Sequence, residues 1–438
     1  MGKKSSIIYR YEYDMDKNST TYDTIIIGGG IAGLYTGIKL LKSNPKRRVA
    51  LAEKYSKFGG RTFTFYADIS GVNYQWEEGA ARISDMHKLT LDLLKEYKLK
   101  VVPISPDVSY KESGAYEMEE NYFEKSTPIF LKPLHQLSSH VLETSTIYSL
   151  LCSIHGKKQT ESLLNRYPYR AELNVMRADM ALDLFKNEFG SDSGYSICAE
   201  GLSELIKRMK EEFERLGGIT YPHHELTGLV NQTCTFANGP PSKGSTRPQV
   251  VLEGKRIVFA IPVDSLRKIK PFNTLDVLKH LTMKPLVRLY AVFPPLANGK
   301  QWFEPYTRII TAERPRYIIP IDPQKGVIQI SYTDSTDTVP IMKMNEELGE
   351  AGLAKEIVGD LRTLLGIEIP DPIIVKIHPW EQGVTYWLPG NYDPYKLSKD
   401  LRKPFKDKQW YLTGESYSTR QCWIEGALEH ASMLCKIL

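Results

Sequence analysis

The stretch from Tyr22 to Glu53 constrains the fold of this chain more than any other part of its sequence. A run rich in isoleucine leads into Gly-x-Gly-x-x-Gly at residues 28–33, and Leu34–Lys42 then has a helical pattern. In such a unit the first glycine permits a tight turn, the second lets the backbone approach a pyrophosphate, and the third lets the helix pack closely on the strand. The sequence therefore predicts a Rossmann-like α/β domain whose dinucleotide site includes Gly28, Gly30, Ile31, Ala32 and Gly33.

Two features after this unit extend the predicted nucleotide site. A second predicted strand, Arg48–Glu53, ends on an acid 20 residues beyond Gly33, where a carboxylate can accept hydrogen bonds from an adenosine ribose. Gly59-Gly60-Arg61 then suits a loop that closes over the pyrophosphate, with the guanidinium neutralising phosphate charge. The alternative for this loop is a surface turn with an exposed cation. We predict cofactor contacts at Glu53, Lys54, Gly60 and Arg61.

Composition argues against several classes of protein. The chain has 438 residues, 42% hydrophobic and 25% charged, as in ordinary globular proteins with two or three domains. Its net charge of +5 is small for this length, so nucleic acid is not an expected partner. Five scattered cysteines without a Cys-x-x-Cys pattern indicate free thiols in a reducing compartment and no structural metal. We expect a cytoplasmic protein without a secretory signal or membrane attachment.

The order of predicted elements divides the chain into lobes. A discontinuous nucleotide-binding domain comprises residues 21–70, 196–264 and 403–438, a substrate domain with a mixed β-sheet comprises residues 71–115 and 265–402, and a largely helical lobe comprises residues 116–195. Residues 1–20 are expected to be a flexible extension. Within it, Gly2 fits a short N-myristoylation pattern that often matches by chance, and Ile7–Tyr13 alternates as an edge strand does.

Local patterns predict three further features. Ser84 is a candidate N-cap for a helix over Asp85–Tyr97. The content of glycine, proline and serine predicts a surface loop over Thr233–Gln249. Apolar spacing predicts a helix over Glu346–Leu365 with Leu348 on its buried face.

Several short motifs occur beyond the glycine turn. They are Glu200-Gly201-Leu202 at a predicted helix start, Ala260-Ile261-Pro262, Trp380, Thr413-Gly414-Glu415 and Trp423-Ile424-Glu425-Gly426-Ala427. Together with the glycine turn they resemble the flavin-containing amine oxidase family, the clan of monoamine, polyamine and L-amino-acid oxidases. The resemblance covers both ends and most of the second half of the chain, and it implies FAD rather than NAD as the cofactor.

The resemblance also implies roles for individual residues. Glu415 would bond the sugar chain of the flavin, and Leu226 would line the cofactor with its backbone. Trp423 would form one wall over the reactive face of the flavin, where a flat apolar side chain excludes water; an ordinary core tryptophan is the alternative. Further cofactor contacts are expected at Gly79, Ala80, Ala81, Arg82, Trp380, Gly414, Trp423 and Ile424.

The sequence departs from the family at three positions. Gly383 stands where monoamine oxidases have the cysteine that tethers the flavin, so FAD is expected to bind without a covalent link. Val384 stands at the second wall of the aromatic cage, for which Tyr386 or Trp387 could substitute; all three are candidate substrate contacts. Arg288 occupies the position of a lysine that holds a water, and because arginine hardly ever deprotonates it can position water but not act as a base. We assign the catalytic roles to Arg288 and Trp423.

Arg82 determines the expected substrate class. Gly79-Ala80-Ala81-Arg82-Ile83 is similar to the segment of L-amino-acid oxidases whose arginine binds the substrate carboxylate, and a guanidinium fork is a natural partner of a carboxylate. The alternative is a structural arginine. The tyrosine that assists this arginine in the family is expected to be replaced by Ile318 or Ile319, and His87 is expected on a helix surface.

The expected reaction is FAD-dependent oxidation of the C–N bond of an amine or L-amino acid to an imine, with O₂ as acceptor and hydrogen peroxide as product. The protein would position the substrate against the flavin, exclude water from the site and recognise the substrate carboxylate. One alternative is an FAD monooxygenase, desaturase or isomerase of the same fold, and another is a flavin-binding protein without turnover. The sequence is compatible with a homodimer.

Overall fold

The computed structural model describes residues 21–188, 194–240 and 247–438. The predictions for Gly2 and for Ile7–Tyr13 lie outside the described residues. The fold is mixed α/β, as the sequence predicts. Its described part contains two large β-sheets, of seven and six strands, and two small ones.

The seven-stranded sheet is built around the strand Thr21–Ile27, which lies between two parallel neighbours, Val49–Ala52 and Gln249–Phe259. Apolar side chains on both faces of this strand are buried, as in parallel sheets covered by helices. The glycine turn therefore lies at the carboxyl ends of parallel strands, where α/β sheets bind ligands. The strand order is His224–Val230, Thr233–Asn238, Gln249–Phe259, Thr21–Ile27, Val49–Ala52 and Ile219–Tyr221, and Trp410–Leu412 also pairs with Gln249–Phe259.

The six-stranded sheet is antiparallel apart from one pair of strands. Its two longest strands pair over most of their length. The strand order is Ile374–Trp387, Leu281–Val292, Val327–Asp334, Tyr317–Asp322, Arg308–Ile310 and Val108–Tyr110, the last two being parallel. The small sheets are Thr64–Ile69 with Val72–Glu77, and Ile83–Ser84, Tyr195–Cys198 and Val101–Ile104.

Helices cover both large sheets. Ile31–Ser43, Leu202–Arg215 and Ile424–Cys435 pack with the seven-stranded sheet in one buried apolar cluster. The other α-helices are Lys88–Glu96, Tyr122–Leu131, Ser139–Glu143, Ile147–His155, Lys157–Leu164, Arg170–Asn174, Ala178–Glu188, Val263–Leu266, Thr338–Leu365 and Pro394–Leu401. None of the helices in the described ranges is long and apolar enough to cross a membrane.

The prediction of a surface loop over Thr233–Gln249 is wrong for the first part of this segment. Thr233–Asn238 is a strand that pairs between His224–Val230 and Gln249–Phe259. Cys234 and Phe236, two residues apart, are both fully buried. In a β-strand, alternate side chains point to the same face, so apolar residues two positions apart can both lie in the core although polar residues separate them. Here this alternation determines the structure, and the glycines and prolines that predict a loop come only after the strand.

The helix predicted to follow Ser84 begins three residues later than expected. Ser84 ends a two-residue strand, and the helix is Lys88–Glu96. The carboxylate of Glu425, in the last helix, accepts hydrogen bonds from the N–H of Leu89 (2.8 Å) and from the N–H and hydroxyl of Thr90 (2.9 and 2.8 Å). The carboxylate of Glu425, from a distant part of the chain, thus caps the free N–H groups at the start of this helix. The sequence predicts Ser84 as the cap.

Replacing Glu425 with alanine is expected to lower the free energy of unfolding by about 2 to 4 kcal/mol, because several donors lose one shared acceptor. Chemical denaturation followed by circular dichroism measures this difference. Glu211→Ala, at an exposed position of the helix Leu202–Arg215, is the matched control and should change stability by less than about 0.5 kcal/mol. Equal stability losses in the two variants would contradict the capping role of Glu425.

The helix predicted over Glu346–Leu365 is longer than expected and is interrupted. It comprises Thr338–Leu365, with Gly349 in a left-handed conformation (φ +69°) that breaks the regular helix. The break changes which face is buried. Leu348 is therefore 52% exposed rather than buried as predicted, whereas Leu353 after the break lies in the core.

Candidate active site

A cavity of about 1500 Å³ is lined by residues from the glycine turn and from the six-stranded sheet. This is larger than the roughly 300–1,000 Å³ of most small-molecule sites and suits a dinucleotide with a substrate beside it. Most of the residues predicted from sequence line it, namely Gly28, Gly30, Ile31, Ala32, Glu53, Lys54, Gly60, Arg61, Gly79, Ala80, Ala81, Arg82, Leu226, Arg288, Trp380, Val384, Gly414, Glu415, Trp423 and Ile424. Gly33, Tyr386 and Trp387 are not among the described residues that line it.

The three glycines of the turn have different structural roles. A Cβ atom on Gly28 would lie 2.4 Å from the carbonyl oxygen of Ala260, and one on Gly33 would lie 2.1 Å from the carbonyl oxygen of Gly28. Gly28 therefore permits close approach of the turn to the end of the strand Gln249–Phe259, and Gly33 permits close packing of the helix on the turn. The nearest described atom to a Cβ on Gly30 would be the carbonyl oxygen of Gly59, at 3.9 Å, so this position leaves room for a ligand in the cavity.

Glu53 lies at the nucleotide end of the cavity. Its carboxylate accepts hydrogen bonds from the N–H groups of Gly29 (2.8 Å) and Tyr55 (2.9 Å). Burial raises the pKa of Glu53, and these backbone donors partly offset the effect. Lys54, next to it, forms an ion pair with Glu225 (2.8 Å). The glycine turn and the acid predicted to bind a ribose are thus joined directly.

Arg61 and Glu415 form the polar centre of the cavity. The guanidinium of Arg61 donates to the Glu415 carboxylate (2.8 Å) and to the carbonyl oxygen of Gly383 (3.0 Å). Glu415 also accepts from the N–H and hydroxyl of Thr385 (3.2 and 3.1 Å) and from the N–H of Cys422 (3.1 Å). These four donors use the usual capacity of a carboxylate. Glu415 thereby fixes the position of Arg61.

The segment around Gly79 passes close to Arg61. The N–H of Ala80 donates to the carbonyl oxygen of Arg61 (3.0 Å), and a Cβ atom on Gly79 would lie 2.0 Å from that oxygen. Trp380 borders this segment and donates its Nε1–H to the carbonyl oxygen of Glu78 (2.8 Å). Small residues are therefore needed here for close approach of two backbone segments.

Trp423 lies in the cavity wall immediately before the last helix. Its ring centroid is 4.8 Å from that of His87 and 6.5 Å from that of Tyr195, with the Tyr195 ring nearly parallel. His87 is therefore buried, and its expected position on a helix surface is wrong. The ring turns inward because His87 precedes the helix, where its Nδ1 accepts a hydrogen bond from the N–H of Ser84 (3.1 Å).

Val384 lines the cavity at the position predicted for a second wall, whereas Tyr386 and Trp387 lie behind it. Both aromatic side chains are fully buried. Tyr386 donates its hydroxyl to Glu172 (3.2 Å), and both nitrogens of Trp387 donate to acceptors within the core. The structure therefore does not bring Tyr386 and Trp387 to the cavity as aromatic substitutes for Val384.

The guanidinium of Arg82 is surrounded by tyrosines. Its Nη2 donates to the hydroxyl of Tyr169 (2.9 Å), and its central carbon lies 5.6 Å from the ring centroid of Tyr195 and 5.8 Å from that of Tyr317. Burial lowers the pKa of Arg82 and the three tyrosines raise it, with a net upward shift. Within residues 21–188, 194–240 and 247–438, no carboxylate forms an ion pair with Arg82. A partly buried cation that lines a cavity without an acidic partner suits an anionic ligand.

Arg288 lines the cavity from the six-stranded sheet. Its Nη1 donates to the carbonyl oxygen of Glu77 (3.4 Å) and the hydroxyl of Tyr290 (3.3 Å), and its central carbon lies 5.7 Å from the ring centroid of Tyr332. The Nε–H is buried without a partner in the described part of the chain. This arrangement supplies a fixed positive charge and a free donor, but no group that can take up a proton.

Sequence analysis did not identify Tyr169, Glu172 and Tyr332, which all line the cavity. They come from the helical region and the six-stranded sheet, where the chain carries no cofactor motif. Nor did it identify Tyr317, which adjoins Ile318 and supplies a tyrosine beside Arg82. Ile318 instead packs in the core under the helix Thr338–Leu365.

A family model described as flavin-containing amine oxidoreductase matches residues 31–433 of the chain. The chain belongs to this family. Family membership implies a flavin cofactor, FAD, and small-molecule amines as the substrate class of this oxidoreductase. Among curated proteins, an uncharacterised protein of Acanthamoeba polyphaga mimivirus is 21% identical over 485 aligned residues, which cover 95% of this chain and 94% of that protein. The mitochondrial L-2-hydroxyglutarate dehydrogenase of Dictyostelium discoideum is 34% identical over 65 residues, 15% of each chain.

The fold of this amine oxidoreductase is that of putrescine oxidase. The structure of wild-type putrescine oxidase bound to putrescine has a TM-score of 0.69 at 15% identity and covers 96% of this chain and 99% of its own. A single-substitution mutant of the same enzyme has a TM-score of 0.72 at 16% identity, covering 95% and 98%. At this level of identity the likeness concerns the fold and not the substrate.

Proposed function

We propose that this protein oxidises the C–N bond of an L-amino acid or a related amine to an imine, using non-covalent FAD and O₂ and releasing hydrogen peroxide. The observation that carries the proposal is Arg82, a partly buried guanidinium that lines the cavity and has no acidic partner in the described ranges. A substrate carboxylate would complete its coordination. Without such an anion, the cost of burying the charge is offset only by neutral phenol groups.

The residues present fit FAD. The space beside Gly30 and Gly414, at which an added Cβ atom would meet little or nothing, leaves room for the cofactor chain. Glu53 would hold the ribose, Arg61 the pyrophosphate, and Trp380 and Trp423 would border the flavin, while Glu415 keeps Arg61 in place. When bound, FAD supplies the two-electron oxidation of the C–N bond and passes the electrons to O₂.

The protein's own groups then orient the substrate and exclude water. Arg82 would bind the carboxylate through its fork and so fix the position of the α-carbon. Trp423 and Val384 present apolar surfaces that keep water from the reacting carbon. Arg288 would hold a water molecule through its free Nε–H, and that water would hydrolyse the imine.

Aerobic turnover with product analysis tests this proposal. With L-amino acids as substrates, the account predicts that ammonia, the 2-oxo acid and hydrogen peroxide form in equal amounts. Consumption of an amine or amino acid without peroxide would contradict oxidase chemistry. No consumption of any L-amino acid or amine would contradict the proposed activity altogether.

A second candidate, an FAD monooxygenase, desaturase or isomerase, is favoured by two observations. Arg288 stands where the family has a lysine, and Val384 leaves the aromatic cage incomplete. These changes affect water placement and the fit of a small amine rather than flavin binding. Turnover without peroxide release, with oxygen incorporated into the product or with no oxygen consumed, would favour this candidate.

The flavin is expected to be released completely on denaturation. Gly383 provides no nucleophile at the position of the tethering cysteine, and burial raises the pKa of the Cys422 thiol in the cavity well above its ordinary value, so that thiol is a poor nucleophile. Acid precipitation of the holoprotein should therefore leave all of the yellow colour in the supernatant. Flavin fluorescence that stays with the protein band on a denaturing gel would contradict non-covalent binding.

The cellular location and assembly stay predictions. All five cysteines are free, which supports a reducing compartment such as the cytoplasm. A homodimer is the assembly that we would test first, by light scattering of the holoprotein.

A further inference from the structure

Glu172 is a buried acid in the wall of the cavity, on the short helix Arg170–Asn174. Its Oε1 accepts a hydrogen bond from the hydroxyl of Tyr386 (3.2 Å) and lies 3.9 Å from the sulfur of Cys422. Its Oε2 has no hydrogen-bond partner in the part of the chain that the structure describes. The proposed mechanism does not use this acid.

A second buried acid, Asp334, interacts with Glu172. Its Oδ1 accepts a hydrogen bond from the N–H of Arg170 (2.9 Å), and its Oδ2 is buried without a partner in the described residues. Burial raises the pKa of both carboxyl groups, and the charge of Glu172 raises that of Asp334 further. Two buried acids, each with one oxygen that has no hydrogen-bond partner in the described residues, thus interact electrostatically, and Glu172 lines the cavity.

Neither acid forms an ion pair with a cationic side chain within the described ranges, although Asp334 lies close enough to Arg316 for their charges to interact. The nearby arginines, Arg170 and Arg316, form ion pairs with Asp337 instead (3.0 and 2.9 Å). The described residues also contain no cluster of three or more side chains that could hold a metal ion. Burying acids without a counter-ion is costly, so a cation that enters the cavity would bind favourably there.

We propose that the ionised carboxylate of Glu172 binds a cationic nitrogen of the substrate. The inference rests on the proposed function, because it names a charged group of the substrate in that same cavity. Tyr169, the hydrogen-bond partner of Arg82, precedes Glu172 by three residues and also lines the cavity. An anion site and a cation site thus lie on one wall. Together they select a substrate with a carboxylate and an ammonium group, and disfavour one with a carboxylate alone.

A matched pair of non-oxidisable ligands isolates this charge recognition. Betaine carries a carboxylate and a quaternary nitrogen, and 3,3-dimethylbutanoate has the same shape with carbon in place of the charged nitrogen. Dissociation constants are measured on the holoprotein by isothermal titration calorimetry, without turnover. Wild type should prefer betaine, and Glu172→Gln should weaken betaine binding by about 10- to 100-fold while changing dimethylbutanoate binding by less than about twofold.

The pH dependence provides a second readout. The titratable groups around Glu172 are Asp334, Tyr386, Cys422 and Tyr332, and burial raises the pKa of each above its ordinary value. A raised pKa means that Glu172 is neutral at low pH and becomes charged as the pH rises. Betaine binding to wild type should therefore strengthen between about pH 6 and pH 9, and binding to Glu172→Gln should not change.

Two further variants keep the test decisive. Glu381→Gln removes an acid from an exposed residue that also lines the cavity, and should change betaine binding by less than about threefold, because solvent screens exposed charges. Tyr386→Phe removes the hydrogen bond to Glu172 and should shift the pH dependence of betaine binding upward. Equal binding of the two ligands by wild type, or equal loss of both in Glu172→Gln, would overturn the proposal. If the protein prefers betaine but oxidises no amine or amino acid, the cation site is supported and the proposed function is refuted.

Discussion

Replacing Gly33 with valine is expected to give a folded but largely flavin-free protein. A Cβ atom at this position would lie 2.1 Å from the carbonyl oxygen of Gly28, and both belong to the turn that we propose holds the nucleotide. The backbone of the turn must move to relieve the clash, since a backbone oxygen has no rotamer to change. Overpacking of this kind costs about 1 to 3 kcal/mol, which corresponds to about 5- to 150-fold weaker FAD binding. Flavin content after gel filtration and the FAD dissociation constant measure the effect.

Gly359→Ala is the control for this experiment. Gly359 lies in the helix Thr338–Leu365, and an added Cβ atom there meets nothing within 4 Å. This variant should retain the flavin content of wild type and gain slightly in stability. A Gly33→Val protein with the flavin content of wild type would show that the turn does not hold the cofactor.

Replacing Arg82 with alanine is expected to lower kcat/KM for L-amino acids by about 150- to 5,000-fold. Removing one partner of a desolvated charge pair costs about 3 to 5 kcal/mol, because the substrate carboxylate is then buried without a cation. Arg82→Lys should lose less, since it keeps the charge but not the fork that fixes the carboxylate. Stopped-flow reduction of the flavin by increasing concentrations of amino acid separates binding from the chemical step.

The matching amine, which lacks the carboxylate, is the internal control for Arg82. Its kcat/KM should change by less than about fivefold in Arg82→Ala, because the amine never used the guanidinium. Flavin content must be measured in the same preparations, since Arg82 also borders the predicted flavin position. Equal losses of kcat/KM for the amino acid and the amine, or a loss of bound flavin, would show that Arg82 has a structural role.

The end of the cavity that the glycine turn lines could be predicted from the sequence because its signals are local. A strand, a glycine turn and a helix are contiguous in the chain, and the acid Glu53 follows at a fixed distance. The position of Gly33 shows the limit of this inference. The motif predicts a cofactor contact there, but Gly33 is absent from the described residues that line the cavity and instead permits close packing within the turn.

The substrate end could not be predicted in the same way, because its residues meet only through tertiary packing. Glu172 lies on the short helix Arg170–Asn174 and Tyr169 immediately precedes it, both far in sequence from Arg82. Tyr332 comes from the six-stranded sheet. No spacing rule connects such positions. Tyr386 illustrates the opposite error, since its aromatic neighbourhood suggested a cage wall although its strand directs it behind the cavity toward Glu172.

Anaerobic mixing of the purified holoprotein with the 20 common L-amino acids and a panel of amines tests the central claim most directly. The account predicts that one or more L-amino acids bleach the flavin absorbance of wild type, and that Arg82→Ala greatly slows this bleaching. Bleaching by amines alone, with no difference between wild type and Arg82→Ala, would contradict carboxylate recognition. A flavin that no amine or amino acid reduces would contradict the proposed function.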